Sequence, residues 1–340
     1  MSKAEYFLRR LGLGVFVLVG VLVITFVVSR MIPADPTVLF AGPRSSPEVR
    51  ARIRAELGLD DPIPVQFVRY TTGVLQGDLG MSFRSKRPII EDLKVFLPAT
   101  LELVIPTILL SIVIGVPLGI YGAAGRGGKF DQFGRLITVA GVSMPAFWLG
   151  LLLQLCFGLW LEWLPLSGRI SREITISNPI ETITGFYLID AAVGSNWEAW
   201  WDALRHMILP VFVLATYPIA LVSRMTRTSM IEVLSEQYVT AARAAGVSKN
   251  MILFRLALKN ALIPTLTVLG LVFAFSITGS VLIEVVFQWP GLGKYITDAI
   301  ISVDFPVIMA VTLIVAIIYI VINLVVDLAQ ASLDPRIRLD

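Results

Sequence analysis

Six long apolar runs dictate what this chain can fold into: residues 11–29, about 101–124, about 136–161, about 207–222, 262–287 and 307–329. A helix needs about 20 apolar residues to cross a bilayer, and a helix is the only open-chain form that satisfies every backbone group in hydrocarbon. Spread over 340 residues, with 56% hydrophobic and only 16% charged, the runs exclude an ordinary soluble enzyme, a disordered chain and a single-pass anchor. They predict an all-α polytopic membrane protein with six spanning helices. The fourth run is short and holds Pro210 and Pro218.

The first run follows Lys3, Arg9 and Arg10, as in a signal peptide, but Arg30-Met31-Ile32-Pro33 comes next rather than a small-residue cleavage site. It is expected to stay as an uncleaved helix. The short loops that share a side with the N-terminus carry Arg126, Lys129, Arg135, Arg224, Arg227, Arg243, Lys249, Arg255 and Lys259, with Arg336 and Arg338 in the tail. The opposite short loops carry Arg169, Arg172, Arg205 and Lys294. The positive-inside rule then places both termini in the cytoplasm. The segment between the first two spans is too long for its charges to count in that rule.

The outer segments are 30–97, a small Pro-rich element with an amphipathic stretch over 48–57; 162–205, aromatic and acidic; and 288–306, with a tight turn at Trp289-Pro290-Gly291-Leu292-Gly293. The aromatic segment reads either as an interfacial belt or as a docking surface. Inside, 223–261 is the longest loop. Ser229 and Glu232 have capping-box spacing, helix-favouring sequence runs 236–245, Gly246 suits a helix C-terminus, and Ser248 suits the cap of a second short helix over 249–259. The loop reads either as a basic hairpin on anionic lipid or as a rigid knob for a cytoplasmic protein.

Chemistry is sparse. One cysteine, Cys156, and one histidine, His206, remove disulfide frameworks, CxxC sites and multi-His metal sites, so no metal is expected. The net charge of +3 gives no reason to expect nucleic acid. The phosphate-binding loop GxxxxGK[ST] is absent, as are HExxH and GxSxG, so nucleotide hydrolysis is not expected of this chain. Glu102, Gln154, Glu284, Asn323 and Asp327 are the polar residues at depth; they form no spaced relay. Thr278, Gly279 and Ser280 either line a path or allow close helix packing.

The stretch Tyr238-Val239-Thr240-Ala241-Ala242-Arg243-Ala244-Ala245-Gly246, continuing to Pro264, resembles the EAA loop of binding-protein-dependent ABC importer permeases, with Thr240 where Glu is usual. Further stretches are similar to the B-type permeases of dipeptide and oligopeptide importers. They are Pro33-Ala34-Asp35-Pro36, Glu56-Leu57-Gly58-Leu59-Asp60, Gly77-Asp78-Leu79-Gly80-Met81-Ser82, Pro98-Ala99-Thr100-Leu101-Glu102-Leu103, Arg224-Met225-Thr226-Arg227 and Trp289-Pro290-Gly291-Leu292-Gly293. The long segment 167–190 looks most like the dipeptide branch.

The resemblance implies a type I ABC importer permease fold, with 1–29 as N-terminus and first helix, 30–97 as a periplasmic element and 98–340 as the permease core. It implies an inner-membrane subunit that moves dipeptides or short peptides and pairs with a homologous C-type permease. Two cytoplasmic ATPases would bind ATP and magnesium, and a periplasmic binding protein would deliver substrate. Coupling to the ATPases would fall to Glu236, Tyr238, Thr240, Ala241, Ala242, Arg243, Ala245 and Gly246. The binding-protein dock or outer gate would fall to Trp197, Trp200, Trp201, Trp289, Pro290, Gly291 and Gly293, and path lining to Thr278 and Ser280. Other cargoes of relatives, such as haem, nickel chelates, opines or glutathione, are the alternative, and a stand-alone ion-coupled transporter is the remote one.

Overall fold

The computed structural model describes residues 3–31, 36–42, 44–56 and 58–333. Pro33, Ala34, Asp35, Leu57, Arg336 and Arg338 lie outside the described residues. Among those described, the chain is helical throughout, with one isolated bridge between Met81 and Pro88 and no longer strand. Five helices are long and apolar enough to cross a membrane, and a sharply bent pair makes a sixth candidate.

Helix α1 (Lys3–Met31) stands at the edge of the bundle. Three shorter helices follow, α2 (Pro36–Ala41), α3 (Pro47–Glu56) and α4 (Ile63–Leu75). Helix α5 (Ile89–Leu110) runs through a π-helical turn at Ser111–Gly115 into α6 (Val116–Ala124). It begins about three turns before the expected start of the second span. Pro98 lies inside this helix, and Ala99, Leu103 and Val104 are packed into the main core and hold the helix through it.

The third span is broken. Helices α7 (Lys129–Ser143) and α8 (Ala146–Leu153, prolonged by a π-helical stretch Gln154–Trp160) meet at 101°. Pro145 stands at the break in an extended backbone (ψ 126°). Proline offers no amide hydrogen and disfavours helix at the residue before it.

Beyond the short α9 (Arg172–Ser177) and α10 (Tyr187–Val193) comes the mast of the molecule, α11 (Trp197–Leu234), 38 residues and about 57 Å at 1.5 Å per residue. Asn196 caps it, its side-chain oxygen accepting from Ala199 N. The expected span 207–222 is therefore only the middle of a helix that projects at both ends, and Trp197–Arg205 belong to that helix and not to a loop. Close packing is built in where α6 meets α11: a Cβ on Gly119 would lie 2.6 Å from Thr226 Cβ and 2.7 Å from the Ser223 carbonyl.

Helix α12 (Gln237–Ala244) is short. Then α13 (Lys249–Met251) passes through a π-helical turn, Ile252–Ala257, into α14 (Leu258–Val286) without a break. The second short helix expected at 249–259 is thus the first part of a spanning helix. Helices α15 (Leu292–Ile301) and α16 (Phe305–Leu333) close the fold.

Three cores hold these elements. The largest joins α5, α11 and α14 through Leu103, Val213, Ile283, Phe287 and Trp289. A second joins α1, α5, α15 and α16, with Phe96 and Tyr295 stacked at 4.4 Å. The third, around Ile120, Met230, Leu253 and Ala261, ties the far ends of α6, α11 and α14 together.

Candidate functional site

Two regions carry the residues singled out from the sequence, one at each end of α11. At its C-terminal end, Val239 is fully buried and pegs α12 to the bundle. Asn260 Nδ2 donates to the Tyr238 hydroxyl at 3.0 Å, and that hydroxyl lies 3.4 Å from the Leu256 carbonyl. The helix then stops in a Schellman motif: Gly246 N donates to Arg243 O and Val247 N to Ala242 O, both at 3.0 Å. Gly246 takes φ +76°, the left-handed conformation expected of it.

The outward face of α12 carries Thr240, Ala241, Arg243 and Ala245, all exposed, with Glu236 and Gly246 at its ends and Ala242 half-buried. A surface of small side chains on a fixed turn presents backbone shape and little charge. Beside it opens a cavity of about 630 Å³, lined by Arg126, Ile231, Leu234, Arg243 and Lys249 among others.

Two expectations fail here. Ser229 is no helix cap: α11 continues past it to Leu234, and Ser229 is buried inside the C-terminal part of the helix. Ser248 does precede α13, but its side chain makes no capping hydrogen bond. Sequence reading also missed the role of Arg227. It holds Asp131 bidentately at 2.6 and 2.9 Å, fastening α7 to α11.

At the other end, the three segments expected on one side meet. Glu284, fully buried, accepts from Thr100 Oγ1 (2.7 Å), Ser280 Oγ (2.9 Å) and Lys294 N (2.9 Å). Thr100 in turn accepts from Leu292 N, and Trp289 Nε1 donates to Ala99 O at 2.8 Å. The 289–293 turn wraps the carboxylate so closely that a Cβ on Gly291 would fall 2.5 Å from it.

Trp289, Gly291 and Gly293 are therefore buried, and Pro290 half-buried, so of the residues expected at a dock or outer gate these four form a packed turn with little accessible surface. Ser280 is fully buried and donates to Glu284, whereas Thr278 is exposed.

Glu102 is the second buried carboxylate. Arg169, 4% exposed, pairs with it at 2.6 Å, reaches the Gly185 carbonyl, and lies over the Tyr187 ring at 3.6 Å. Leu188 N also donates to Glu102. These contacts pin 162–196 to α5. Asp190 orders the same segment, accepting from Thr184 Oγ1 and the amides of Ile183, Thr184 and Gly185.

Of the three tryptophans at the start of α11, Trp197 (63%) and Trp201 (59%) are exposed and Trp200 is half-buried. The remaining residues at depth each have a partner. Gln154 donates to Leu166 O, Asn323 to Tyr319 O, and Asp327 pairs with Arg10 at 3.2 Å. No group of three or more His, Cys, Asp or Glu side chains fit for a metal occurs among the described residues.

The described residues thus form a helical membrane bundle in which one exposed, rigidly turned helix joins two long spans. Residues 115–339 match the family described as binding-protein-dependent transport system inner membrane component, and residues 3–104 match its N-terminal companion family. Among similar proteins is a probable D,D-dipeptide transport system permease of Escherichia coli K12. It is 45% identical over 323 residues, covering 95% of this chain and 94% of that one. The dipeptide transport system permease of the same strain is 41% identical over 337 residues, 98% of each chain. The glutathione transport system permease of Salmonella typhimurium LT2 is 39% identical over 335 residues, 98% of this chain and 99% of that one.

A chain of the MetNI methionine ABC transporter superposes with TM-score 0.52 at 16% identity, over 71% of this chain and 96% of that one. The fold is that of a type I importer permease. The chain belongs to the binding-protein-dependent inner-membrane permease family; it is an integral membrane transport component, and not itself an enzyme.

Proposed function

We propose that this chain is the B-type permease subunit of an ATP-driven importer of dipeptides or other short peptides. Both termini are cytoplasmic in this reading. Its partners are a homologous permease, two ATPases that bind ATP and magnesium, and a periplasmic binding protein.

The observation that carries the mechanism is the connectivity of α12. It joins the last turn of α11 directly to the helix that becomes α14, two of the longest spans. An ATPase that grips the small, exposed face of α12 therefore moves two spanning helices at once. The third core, with Met230 and Leu253 packed under the loop, transmits that movement without slack. At the far end of α11, Trp197 and Trp201 present aromatic surface to a binding protein, a residue type that dominates such contacts. The mast then links the two docks. Thr278 faces the path shared with the partner permease.

The peptide reading is supported by the dipeptide systems among the relatives, two of which are 41% identical or more over nearly the whole chain. The glutathione permease relative keeps a modified tripeptide within the same class.

Ala241→Asp tests the coupling role. A buried, unpaired charge at a docked face costs several kcal/mol. Purified complexes of that variant should lose their ATPases, and uptake of labelled dialanine should fall at least about tenfold, with normal amounts of the chain in the membrane. Full uptake would sink the coupling assignment.

A further inference from the structure

A second cavity, about 460 Å³, lies away from both docks, under α4 and between the ends of α1 and α16. Its walls are largely apolar: Phe40, Leu79, Met81, Phe83, Phe305 and Met309. Ser29 and Arg30, in the last turn of α1, and Phe305 and Pro306, in the first turn of α16, also line it. Those are the turns at which two spans leave the hydrocarbon, so the cavity sits at headgroup level of the leaflet that faces the 30–97 element.

The polar groups of the cavity are unevenly matched. Glu56 pairs with Arg52, Arg69 with Asp61, and Asp78 accepts from Gly80 N. Arg30 lines the cavity and is exposed, its guanidinium over the Phe26 ring at 5.2 Å, with no carboxylate partner among the described residues. Gln66, 8% exposed, spends its amide nitrogen on the carbonyls of Leu59 and Asp61, while its Oε1 is buried without a partner. The Tyr70 hydroxyl is likewise buried and unpartnered. Buried polar atoms of this kind call for a partner.

Helix α4 adds an independent observation. Its inner side carries Gln66 and Tyr70, yet its outer side exposes Val65 (47%), Val68 (59%) and Leu75 (81%), a row of helical spacing. An apolar outer row fits a helix lying in the membrane interface. The neighbouring face of α1 is apolar and exposed too, through Val23, Ile24, Val27 and Val28.

We propose that this cavity is a phospholipid site, in which a lipid phosphate seats on Arg30, headgroup or glycerol hydrogen-bonding atoms meet the Gln66 amide oxygen and Tyr70 hydroxyl, and the acyl chains leave past Met309 into the bilayer. A phosphate supplies the anion that Arg30 lacks. An ethanolamine ammonium or a glycerol hydroxyl supplies the donor that Gln66 lacks. The fatty chains continue the apolar wall into the hydrocarbon, which a free anion or a small peptide does not do. The bound lipid then acts as a filler between α1, α4 and α16, joining the edge helix to the fold.

The test uses the full chain with its partner subunits in vesicles of phosphatidylethanolamine and phosphatidylglycerol, doped with a phosphatidylethanolamine carrying a photoactivatable group near the glycerol. In the unaltered chain, crosslinks should map to residues 63–75 and 305–309. Arg30→Gln should cut crosslinking at those positions about tenfold, the loss of one charge-assisted hydrogen bond, while crosslinks along the exposed face of α1 persist. Excess inorganic phosphate and excess dialanine should leave the pattern unchanged. Crosslinks confined to the outer face of α1, or an Arg30→Gln pattern identical to that of the parent, would overturn the site. Displacement by dialanine would assign the cavity to a peptide, and displacement by inorganic phosphate to a free anion; either outcome rejects a lipid. The map from the unaltered chain does not depend on how well the variant folds.

Discussion

Single residues at the outer end show how far local chemistry reaches. The Glu102–Arg169 pair is deeply buried, and a buried pair broken on one side leaves an uncompensated charge. Arg169→Met should therefore destabilise the fold by about 3–5 kcal/mol. The double variant Glu102→Gln with Arg169→Met should recover part of that, as a thermal-melting cycle would record. An additive cycle would mean that the pair does not interact as described.

Asp190 gives a pH signature. Burial pushes its carboxyl up, but the hydroxyl of Thr184 and the amides of Thr184, Gly185 and Ile183 outweigh burial and hold it below the usual carboxylate value. A carboxyl lowered on folding contributes stability above its unfolded value of about 3.9 and loses it as pH falls through the folded value. Protection of the 183–185 amides, relative to their intrinsic exchange rates, should thus be high at neutral pH and fall below about pH 4. Asp190→Asn should lower that protection at neutral pH and converge with the parent at the acid end; unchanged protection at neutral pH would show that the carboxylate does not order the segment. None of these pairings was legible in the sequence. Glu102 meets Arg169 across 67 positions and Glu284 meets Thr100 across 184, and residue type alone does not choose such partners. Gly246 was legible, because its turn depends only on the helix immediately before it.

Elements were read well where hydropathy sufficed and poorly where proline or length decided. Pro145 breaks the third span, whereas Pro210 and Pro218 lie inside α11 without ending it. In a packed membrane bundle, neighbouring helices and local backbone adjustment accommodate the groups a proline frees; most of the apolar part of α11 is buried among such neighbours. The contact of α6 with α11 tests that packing. Gly119→Val places branched carbons where a single Cβ already lies 2.6 Å from Thr226. It should cost at least about 3 kcal/mol, seen as a lower melting temperature and loss of assembled complex. Gly134→Ala, in α7 with nothing within 4 Å of the added carbon, should be neutral or slightly stabilising. Equal melting of the two variants would refute the close-approach account.

At the scale of the molecule, α11 joins the two ends of the bundle, and the proposal of cytoplasmic termini sets which end meets which compartment. In a Cys156→Ala background, Thr182→Cys should react with an impermeant maleimide in intact cells. Ser248→Cys should react only after permeabilisation; the reverse pattern would invert the orientation. The candidate spans, the meeting of the outer segments at one end of the bundle and the Gly246 turn were readable from sequence, because apolar length and helix-end chemistry act over a few residues at a time. Only the tertiary structure decided that Trp289 is buried and hydrogen-bonded to the Ala99 carbonyl. It also decided that 249–259 begins a spanning helix and that α11 runs the depth of the fold. Each of those outcomes depends on which distant surfaces pack together, and the energy of that packing belongs to no single stretch of the chain.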